Sequence, residues 1–196
     1  MSDFGTNMSF VRYISGQPHS VEIPTADDFA FEVERVHGAK AVQPSAVLKQ
    51  VAVRQYRDSN AAKKERKAAI VAQQVMRSKV VCVDEKVSVE QARELMLAHH
   101  FHHLPVLRAD CLVGILSDRD LLSPKARPKE RVSVVMAHDV LTARPEARLA
   151  DIARVMVSHA VGCVPIVNER NNVTGIVTST DLLRCIMLHA PIDLWV

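Results

Sequence analysis

Two short motifs in the chain each place a hydroxyl side chain three residues before a carboxylate. The first, Gly-Ile-Leu-Ser-Asp-Arg-Asp from residue 114, contains Ser117 and Asp120, and the second, Gly-Ile-Val-Thr-Ser-Thr-Asp from residue 175, contains Thr178 and Asp181. An ionised carboxylate only accepts hydrogen bonds, so it suits a cis-diol that donates two of them. A hydroxyl just before a helix can act on an anion together with the backbone N–H groups of the helix start. The motifs are therefore candidates for binding a sugar and a phosphate.

The same four residues also fit a purely structural role. A Ser or Thr followed three residues later by Asp or Glu is the pattern of a capping box, in which both side chains satisfy backbone N–H groups at a helix start. The glycine that opens each motif permits a close backbone approach or an unusual dihedral angle. The residues alone leave both helix capping and ligand binding open for Ser117, Asp120, Thr178 and Asp181.

The motifs belong to a longer repeat with a spacing of about 60 residues. Val75-Met76 matches Val135-Met136, and apolar strands at 104–107 and 164–167 occupy the same place in each copy. Between the Val-Met pair and the apolar strand, each copy has a helix with apolar residues along one face. The recurrence of these features in one order indicates a duplicated structural unit.

The repeat predicts a mixed α/β (α+β) fold with the element order β-α-β-β-α, twice. Its first strand is expected at 79–83 and again at 139–143, and a last helix is expected after each motif. We predict two units, at 71–126 and 127–196, with a linker containing two prolines at 123–129. Because so small a unit has a marginal core, the two should pack together as a pseudo-twofold pair.

Composition is that of an ordinary soluble globular protein. Of the 196 residues, 48% are hydrophobic and 24% charged, and the net charge of +3 gives no strong indication of nucleic acid or membrane binding. The four cysteines have neither CxxC nor metal-ligand spacing, which fits a reduced setting. The N-terminus lacks the features of a signal peptide, and no apolar run approaches the ~18 residues of a membrane span. We expect a cytoplasmic protein with no membrane partner.

Residues 1–70 lie outside the repeat, and their role is unknown. Prolines break the stretch 1–45, which we expect to be irregular, and its aromatic residues indicate an arm that packs on something. From 45 to about 76 the composition is helical. The basic run at 63–67 is interpreted as a solvated helix face. Binding of an acidic partner or nucleic acid is the alternative, and no base-reading motif supports it.

The duplicated pattern resembles the cystathionine-β-synthase (CBS) domain in its tandem form, the Bateman module. The resemblance covers roughly 71–190 and rests on the Val-Met pairs, the strands at 104–106 and 164–166, and the two Gly-x-x-Ser/Thr-x-x-Asp motifs. It implies a regulatory, non-catalytic protein with no obligatory cofactor. Such pairs bind adenosine-containing ligands (AMP, ADP, ATP or S-adenosylmethionine) in two clefts between the units, and they tend to form homodimers.

The resemblance also implies roles for individual residues. Asp120 and Asp181 would accept hydrogen bonds from ribose hydroxyls, while Ser117 and Thr178 would reach phosphate or ribose. Adenine would lie against the first strand of each unit. The residues expected there are apolar: Val80, Val81, Val140 and Leu141.

The two clefts are not expected to be equal. By resemblance, His102 matches a histidine that contacts phosphate in nucleotide-sensing relatives, and the second unit has Gly162 in its place. The first motif carries Arg119 before its aspartate, where the second carries Thr180. The main adenylate site is therefore expected around the first motif. The second motif marks a cleft that binds adenosine weakly or stays empty.

Other interpretations compete with nucleotide sensing. The pair can be a structural dimerisation or partner-binding module with degenerate clefts, in which the N-terminal arm contacts an unidentified protein. His99 and His103, four residues apart, would suit a metal on one helix face, but the helix is expected to end near His100 and no Asp, Glu or Cys cluster is close in sequence. No Ser-His-Asp or Cys-His set lies within one element. We therefore expect neither a metal site nor an enzyme.

Overall fold

The computed structural model describes residues 9–23 and 69–189, and of these 9–23 and 70–189 belong to one compact unit. They form the predicted α/β fold, with one five-stranded and one three-stranded sheet. The strands are β1 (Phe10–Ile14), β2 (Gln17–Ser20), β3 (Val83–Asp84), β4 (His103–Arg108), β5 (Cys111–Ser117), β6 (Asp139–Ala143), β7 (Cys163–Val167) and β8 (Val173–Thr178). The α-helices are α1 (Ala72–Val75), α2 (Val89–His99), α3 (Leu149–Ser158) and α4 (Ser179–His189), and two 3₁₀ helices lie at Asp120–Leu122 and Val132–Val134.

The two repeats build equivalent sheets, as the duplicated pattern predicts. In the first repeat β4 pairs antiparallel with β5 and parallel with β3, and in the second β7 pairs antiparallel with β8 and parallel with β6. Both antiparallel pairs have an irregularity at the same place, after Val106 and after Ile166. The helices α2 and α3 bury one apolar face each against these sheets.

The segment that precedes each repeat's first strand packs on the other repeat. Helix α1 and Met76, which come before β3, lie against the apolar core of the second repeat. The 3₁₀ helix Val132–Val134 and Met136, which come before β6, lie in the core of the first. This exchange joins the two repeats more tightly than contact between two finished units would.

The motif glycines make this exchange sterically possible. A Cβ atom at Gly175 would overlap the sulfur of Met76, and one at Gly114 would overlap the sulfur of Met136. Because a methionine fills the space that a Cβ would take, any other residue would require the methionine to shift, and glycine permits this approach without a shift. Two isolated antiparallel β-bridges lie beside these contacts, between Arg77 and Ile176 and between Ala137 and Ile115.

Two predicted elements differ between the repeats. The strand expected at 79–83 is reduced to β3, and only β6 has the predicted length. The helix expected after the first motif is wrong: the chain makes the single 3₁₀ turn Asp120–Leu122, whereas the second motif opens the full helix α4. Pro124 explains the difference, because proline removes a backbone donor and restricts the residue before it.

The prediction of an irregular N-terminus is wrong for the part that is described. Strands β1 and β2 form a hairpin, turned by Ser15 and Gly16 with φ of 52° and 83°, as in a type I′ turn. Along its whole length β1 pairs antiparallel with β6, where it adds to the second repeat's sheet. The aromatic and β-branched residues before the turn dipeptide Ser-Gly favour a strand that ends in a turn. Pro18 lies on the outer strand, which tolerates a missing donor.

The aromatic residues of this arm do pack, as expected. Phe10 joins the core of the second repeat, and Tyr13 lies in an apolar cluster that connects both repeats. The cluster contains Tyr13, Leu112, Val140 and Val167, with Val11, Leu107, Ile115 and Val173 around them. The remaining arm residues, the helix predicted from 45 except for its end at α1, and the basic run at 63–67 lie outside the described residues. Within the described part, no helix has the length and apolar character needed to span a bilayer.

Candidate ligand-binding clefts

Both motifs form the capping geometry. The Oδ2 atom of Asp120 accepts hydrogen bonds from the backbone N and the Oγ of Ser117, each at 2.7 Å. In the second motif, the Oδ2 of Asp181 accepts from the backbone N and the Oγ1 of Thr178, at 3.0 and 2.6 Å. The structural role is therefore real in both copies. One carboxylate oxygen is used for it, which leaves the other oxygen to distinguish the two motifs.

The second oxygens have different surroundings. The Oδ1 of Asp181 accepts from Arg77 Nε at 3.2 Å and from Arg184 Nη1 at 3.3 Å, and the side chain is only 2% exposed. The side chain of Asp120 is half-buried, and its Oδ1 has no hydrogen-bond partner among the described residues. The first motif thus offers a carboxylate oxygen that can accept a ligand hydroxyl, while in the second motif arginines already occupy that oxygen.

This difference follows from two positions in the repeat. Arg77 is the first residue after one Val-Met pair, and its counterpart after the other pair is Ala137. Arg184 follows its motif aspartate by three residues, and its counterpart is Ser123. The equivalent β-bridges at residues 77 and 137 show that these positions match in space as well as in sequence. Both cations beside Asp181 are therefore missing beside Asp120.

The expected phosphate ligand His102 lies beside a carboxylate. Its Nδ1 is 2.9 Å from Asp118 Oδ2, and both side chains are well exposed. The hydrogen bond from His102 lowers the pKa of the Asp118 carboxyl from its ordinary value. The guanidinium of Arg119 is exposed and has no hydrogen-bond partner within the described residues. His102 is thus held near the first motif, but next to a negative group that opposes phosphate.

The predicted match of His102 with Gly162 is correct. The carbonyl of His102 accepts from Asp118 N, and that of Gly162 accepts from Ser179 N, both at 3.1 Å. These bonds join the start of the equivalent strands β4 and β7 to the residue after each motif hydroxyl.

His103 is a neighbouring residue that was not among those expected at the ligand site. It pairs with Ser117 across β4 and β5, and its ring lies against Gly162, where a Cβ would be 3.1 Å from the imidazole. Burial lowers the pKa of His103 from its ordinary value, an effect that the nearby Asp118 and Asp120 partly oppose. The imidazole therefore connects the first motif to the second repeat.

The four residues expected to contact adenine fall into two groups. Val80 and Val81 are half-buried and precede β3 in a stretch without ladder pairing. Val140 and Leu141 are nearly fully buried in β6, between β1 and β7. The N-terminal hairpin thus covers the edge of the second pair and leaves the first pair more accessible.

The described residues contain no group of three or more His, Cys, Asp or Glu side chains that could hold a metal ion. Helix α2 ends as expected near His100, which has a left-handed backbone with φ of 54°. His99 stacks on Phe101 with ring centroids 5.3 Å apart. The histidine-rich stretch thus has structural contacts at the helix end.

The geometry agrees with an independent comparison of the sequence. The sequence model of the CBS domain matches residues 71–125 and 132–188, together more than half of the chain. The chain belongs to the CBS-domain family. The two matches contain one motif each, so this is a tandem CBS pair, as the resemblance indicated.

Known relatives place the CBS pair in proteins of different size. The chain is 34% identical over 113 residues to homoserine O-acetyltransferase of Methanococcoides burtonii, covering 57% of this chain and 23% of that protein. It is 32% identical over 111 residues to the CBS domain-containing protein YhcV of Bacillus subtilis, covering 55% and 79%. The chain thus spans less than a quarter of the acetyltransferase, and the similarity is restricted to that part.

Solved CBS pairs have the same fold. The CBS domain pair of protein MJ0100, in complex with 5′-methylthioadenosine and S-adenosylmethionine, has 25% identity and a TM-score of 0.57 over 61% of this chain and 97% of its own. The protein CBSX2 in complex with AMP has 25% identity and a TM-score of 0.56 over 60% and 96%. These neighbours bind adenosine-containing ligands.

Proposed function

We propose that this CBS pair is a cytoplasmic, non-catalytic regulatory module that binds adenosine-containing ligands, of the AMP, ADP, ATP or S-adenosylmethionine type, in the clefts between its repeats. The observation that carries the proposal is the Asp120 carboxylate, whose Oδ2 caps the motif while its Oδ1 has no partner among the described residues. A free carboxylate oxygen matches the donors of a ribose diol. The adenosine ligands of MJ0100 and CBSX2 support the same ligand class.

The site residues expected from the sequence enter the proposal with their positions in the structure. Ser117 and Asp120 form one binding edge, Thr178 and Asp181 the other, and Val80 and Val81 offer accessible apolar surface for a base. Ligand binding would regulate by favouring one packing of the repeats over another, and its effect is limited by the difference in affinity for the two packings.

Isothermal titration with AMP, ADP, ATP and S-adenosylmethionine tests the proposal. Saturable heat is expected with at least one ligand, and the absence of both heat and a thermal shift at millimolar ligand would contradict it. Asp120→Asn retains the capping atoms but presents an amide donor to the diol, so we expect at least one binding event to weaken by about tenfold or more. Asp110→Asn, in the exposed turn between β4 and β5, is the matched control.

A second candidate function is a structural dimerisation or partner-binding module. Helix α4 exposes several large apolar side chains, namely Leu183, Ile186, Met187 and Leu188. Exposed apolar patches mark interaction surfaces. Native mass spectrometry of protein purified without added nucleotide separates the two functions, because a ligand-free dimer favours this candidate and a co-purified nucleotide favours sensing.

A further inference from the structure

We infer that the two motifs divide adenosine ligands by charge: the second takes a phosphorylated nucleoside, and the first takes an uncharged or cationic one. The inference rests on the proposed function and names the ligand class of each cleft. It depends on Arg77 and Arg184, which sit on the carboxylate of Asp181 and have no counterparts at Asp120.

In the second motif, a ribose diol must compete for an occupied oxygen. Arg77 and Arg184 both donate to the Oδ1 of Asp181. A nucleoside without phosphate that took this oxygen would leave two guanidinium groups without their acceptor. An uncharged nucleoside must displace charged donors to use this oxygen, so it gains less here than at a carboxylate oxygen without a partner.

A phosphate on the nucleoside compensates Arg77 and Arg184 for the carboxylate oxygen that the diol takes from them. The side chains of Arg77 and Arg184 are 51% and 58% exposed, so each can turn toward a ligand while its stem stays in place. A guanidinium presents five N–H donors, and phosphate accepts them in pairs. With Asp181 the group has a net formal charge of +1, and Lys79 follows two residues after Arg77. A phosphorylated nucleoside supplies both the diol for the carboxylate and the anion for the arginines.

In the first motif the carboxylate oxygen is available, and the cations that would bind a phosphate in the second motif are missing. The Oδ1 of Asp120 has no partner to displace within the described part of the chain, because Ala137 and Ser123 stand at the two arginine positions. Asp118 and Asp120 belong to this motif together with Arg119, and the guanidinium of Arg93 donates to the Leu121 carbonyl at 3.2 Å. These four side chains have no net formal charge, so a diol binds here without competition for the carboxylate, and an added phosphate gains less than it does at the second motif. The site therefore suits adenosine itself or a cationic sulfonium derivative.

This assignment reverses the expectation that phosphate would favour the first motif. That expectation weighed His102 and Arg119 but did not include Arg77, which precedes the first repeat's strands. The exchange of segments between the repeats brings Arg77 to the second motif.

Adenosine and AMP are the matched probes, since they differ only by the phosphate. Isothermal titration of the full chain is expected to show AMP binding that falls at least tenfold in Arg77→Gln, with adenosine binding unchanged within about twofold. Asp120→Asn is expected to weaken adenosine at least tenfold and AMP much less. Arg77→Gln retains the aliphatic stem, and thermal denaturation checks that the variant folds.

Ala137→Arg is the reciprocal variant and should shift the ligand preference of the first motif toward a phosphorylated nucleoside. Ala137 is exposed, so Ala137→Arg is tolerated sterically and places an arginine beside Asp120. We expect it to give the first motif measurable AMP binding and to weaken adenosine there. If Arg77→Gln weakens AMP and adenosine by the same factor, or if the loss of AMP follows Asp120→Asn instead, division by charge is wrong and ligand sensing stands. If the unmodified chain binds neither probe, division by charge is wrong, and the proposed function fails as well only if ADP, ATP and S-adenosylmethionine also give neither heat nor a thermal shift.

Discussion

In the first motif one oxygen of Asp120 caps the turn and the other has no partner in the described structure, whereas in the second motif both oxygens of Asp181 are bound. The motifs themselves have the same bonds to the preceding hydroxyl residue. Their difference arises outside the motifs, where Arg77 and Arg184 approach one copy only. Equal motifs in a tandem repeat therefore do not make equal sites, since the second oxygen depends on residues elsewhere in the repeat.

The N-terminal hairpin adds a second difference between the repeats. Strand β1 covers the outer edge of β6, and Arg12 forms a bidentate ion pair with Asp139. The hydroxyl of Thr142 donates to the Val11 carbonyl at 2.8 Å. At the equivalent positions the first repeat has Lys79 and Cys82. Because Lys79 would repel Arg12 and Cys82 is a weaker donor, the hairpin selects the second repeat.

The largest expected effect comes from removing the buried aromatic residue of the hairpin. Phe10 is 3% exposed in the core of the second repeat, so Phe10→Ala should lower the free energy of unfolding by about 3–5 kcal/mol. Urea denaturation measures the loss, with Gln17→Ala on the exposed strand as control. Amide hydrogen exchange should accelerate more in β6 and β7 than in β4 and β5. Equal acceleration in both repeats would refute a hairpin that stabilises one of them.

A smaller effect distinguishes the two aspartates. Asp181→Asn turns an amide donor toward Arg77 and Arg184, so we expect a loss of about 0.5–1 kcal/mol, limited by the half-exposed arginines. Asp120→Asn retains the cap, and no arginine among the described residues donates to this carboxylate, so the stability of the variant should stay within about 0.5 kcal/mol of the original chain. Chemical denaturation of both variants checks this. A loss as large for Asp120→Asn would mean that its second oxygen has a partner after all.

The smallest effect is a pH dependence centred on His103. Burial lowers the pKa of His103 in the folded protein, whereas in the unfolded chain this pKa has its ordinary value of about 6.5. Near that pH the unfolded chain therefore binds a proton that the folded protein does not bind. Stability should therefore fall as the pH falls through this range. Asp118 and Asp120 oppose the lowered pKa of His103 and limit the size of the effect, whereas His102 and Arg119 lower this pKa further.

Thermal denaturation between pH 5 and 8 tests this dependence in the original chain and in His103→Gln. The difference in melting temperature between the two should shrink or change sign on acidification, because only the original chain carries the penalty. A difference that is constant across the range would show that His103 is not responsible.

Several features were predictable because they rest on local pattern. The Ser/Thr-x-x-Asp spacing offered capping as one of two roles, and Ser117 and Thr178 do form capping bonds. The repeated Val-Met pair and strands predicted two equivalent sheets. The hairpin was also predictable, since aromatic and β-branched residues precede the turn dipeptide Ser15-Gly16, but Pro18 and Pro24 favoured an irregular segment. Pro124 was a sufficient reason to expect a short turn after the first motif.

The contacts of Arg77 and Arg184 with Asp181 were harder to predict from the sequence. Arg77 and Asp181 are 104 residues apart in the chain, and the motif pattern does not include position 77. Aligning the residues after the two Val-Met pairs would have revealed arginine against alanine. The alignment alone would not have shown which aspartate the arginine meets, because that depends on the exchange of segments.

By itself, the sequence determined the duplicated α/β unit and the family, because these follow from short-range spacing and from apolar periodicity, and it left capping and ligand binding open for both motifs. Only the tertiary structure decided which residues complete each site. The packing of Met76 and Met136 on the glycine of the opposite repeat carries Arg77 to Asp181 and Ala137 to the side of Asp120. Two motifs with the same local bonds therefore differ in charge, since the neighbours of a buried carboxylate are set by packing between distant segments.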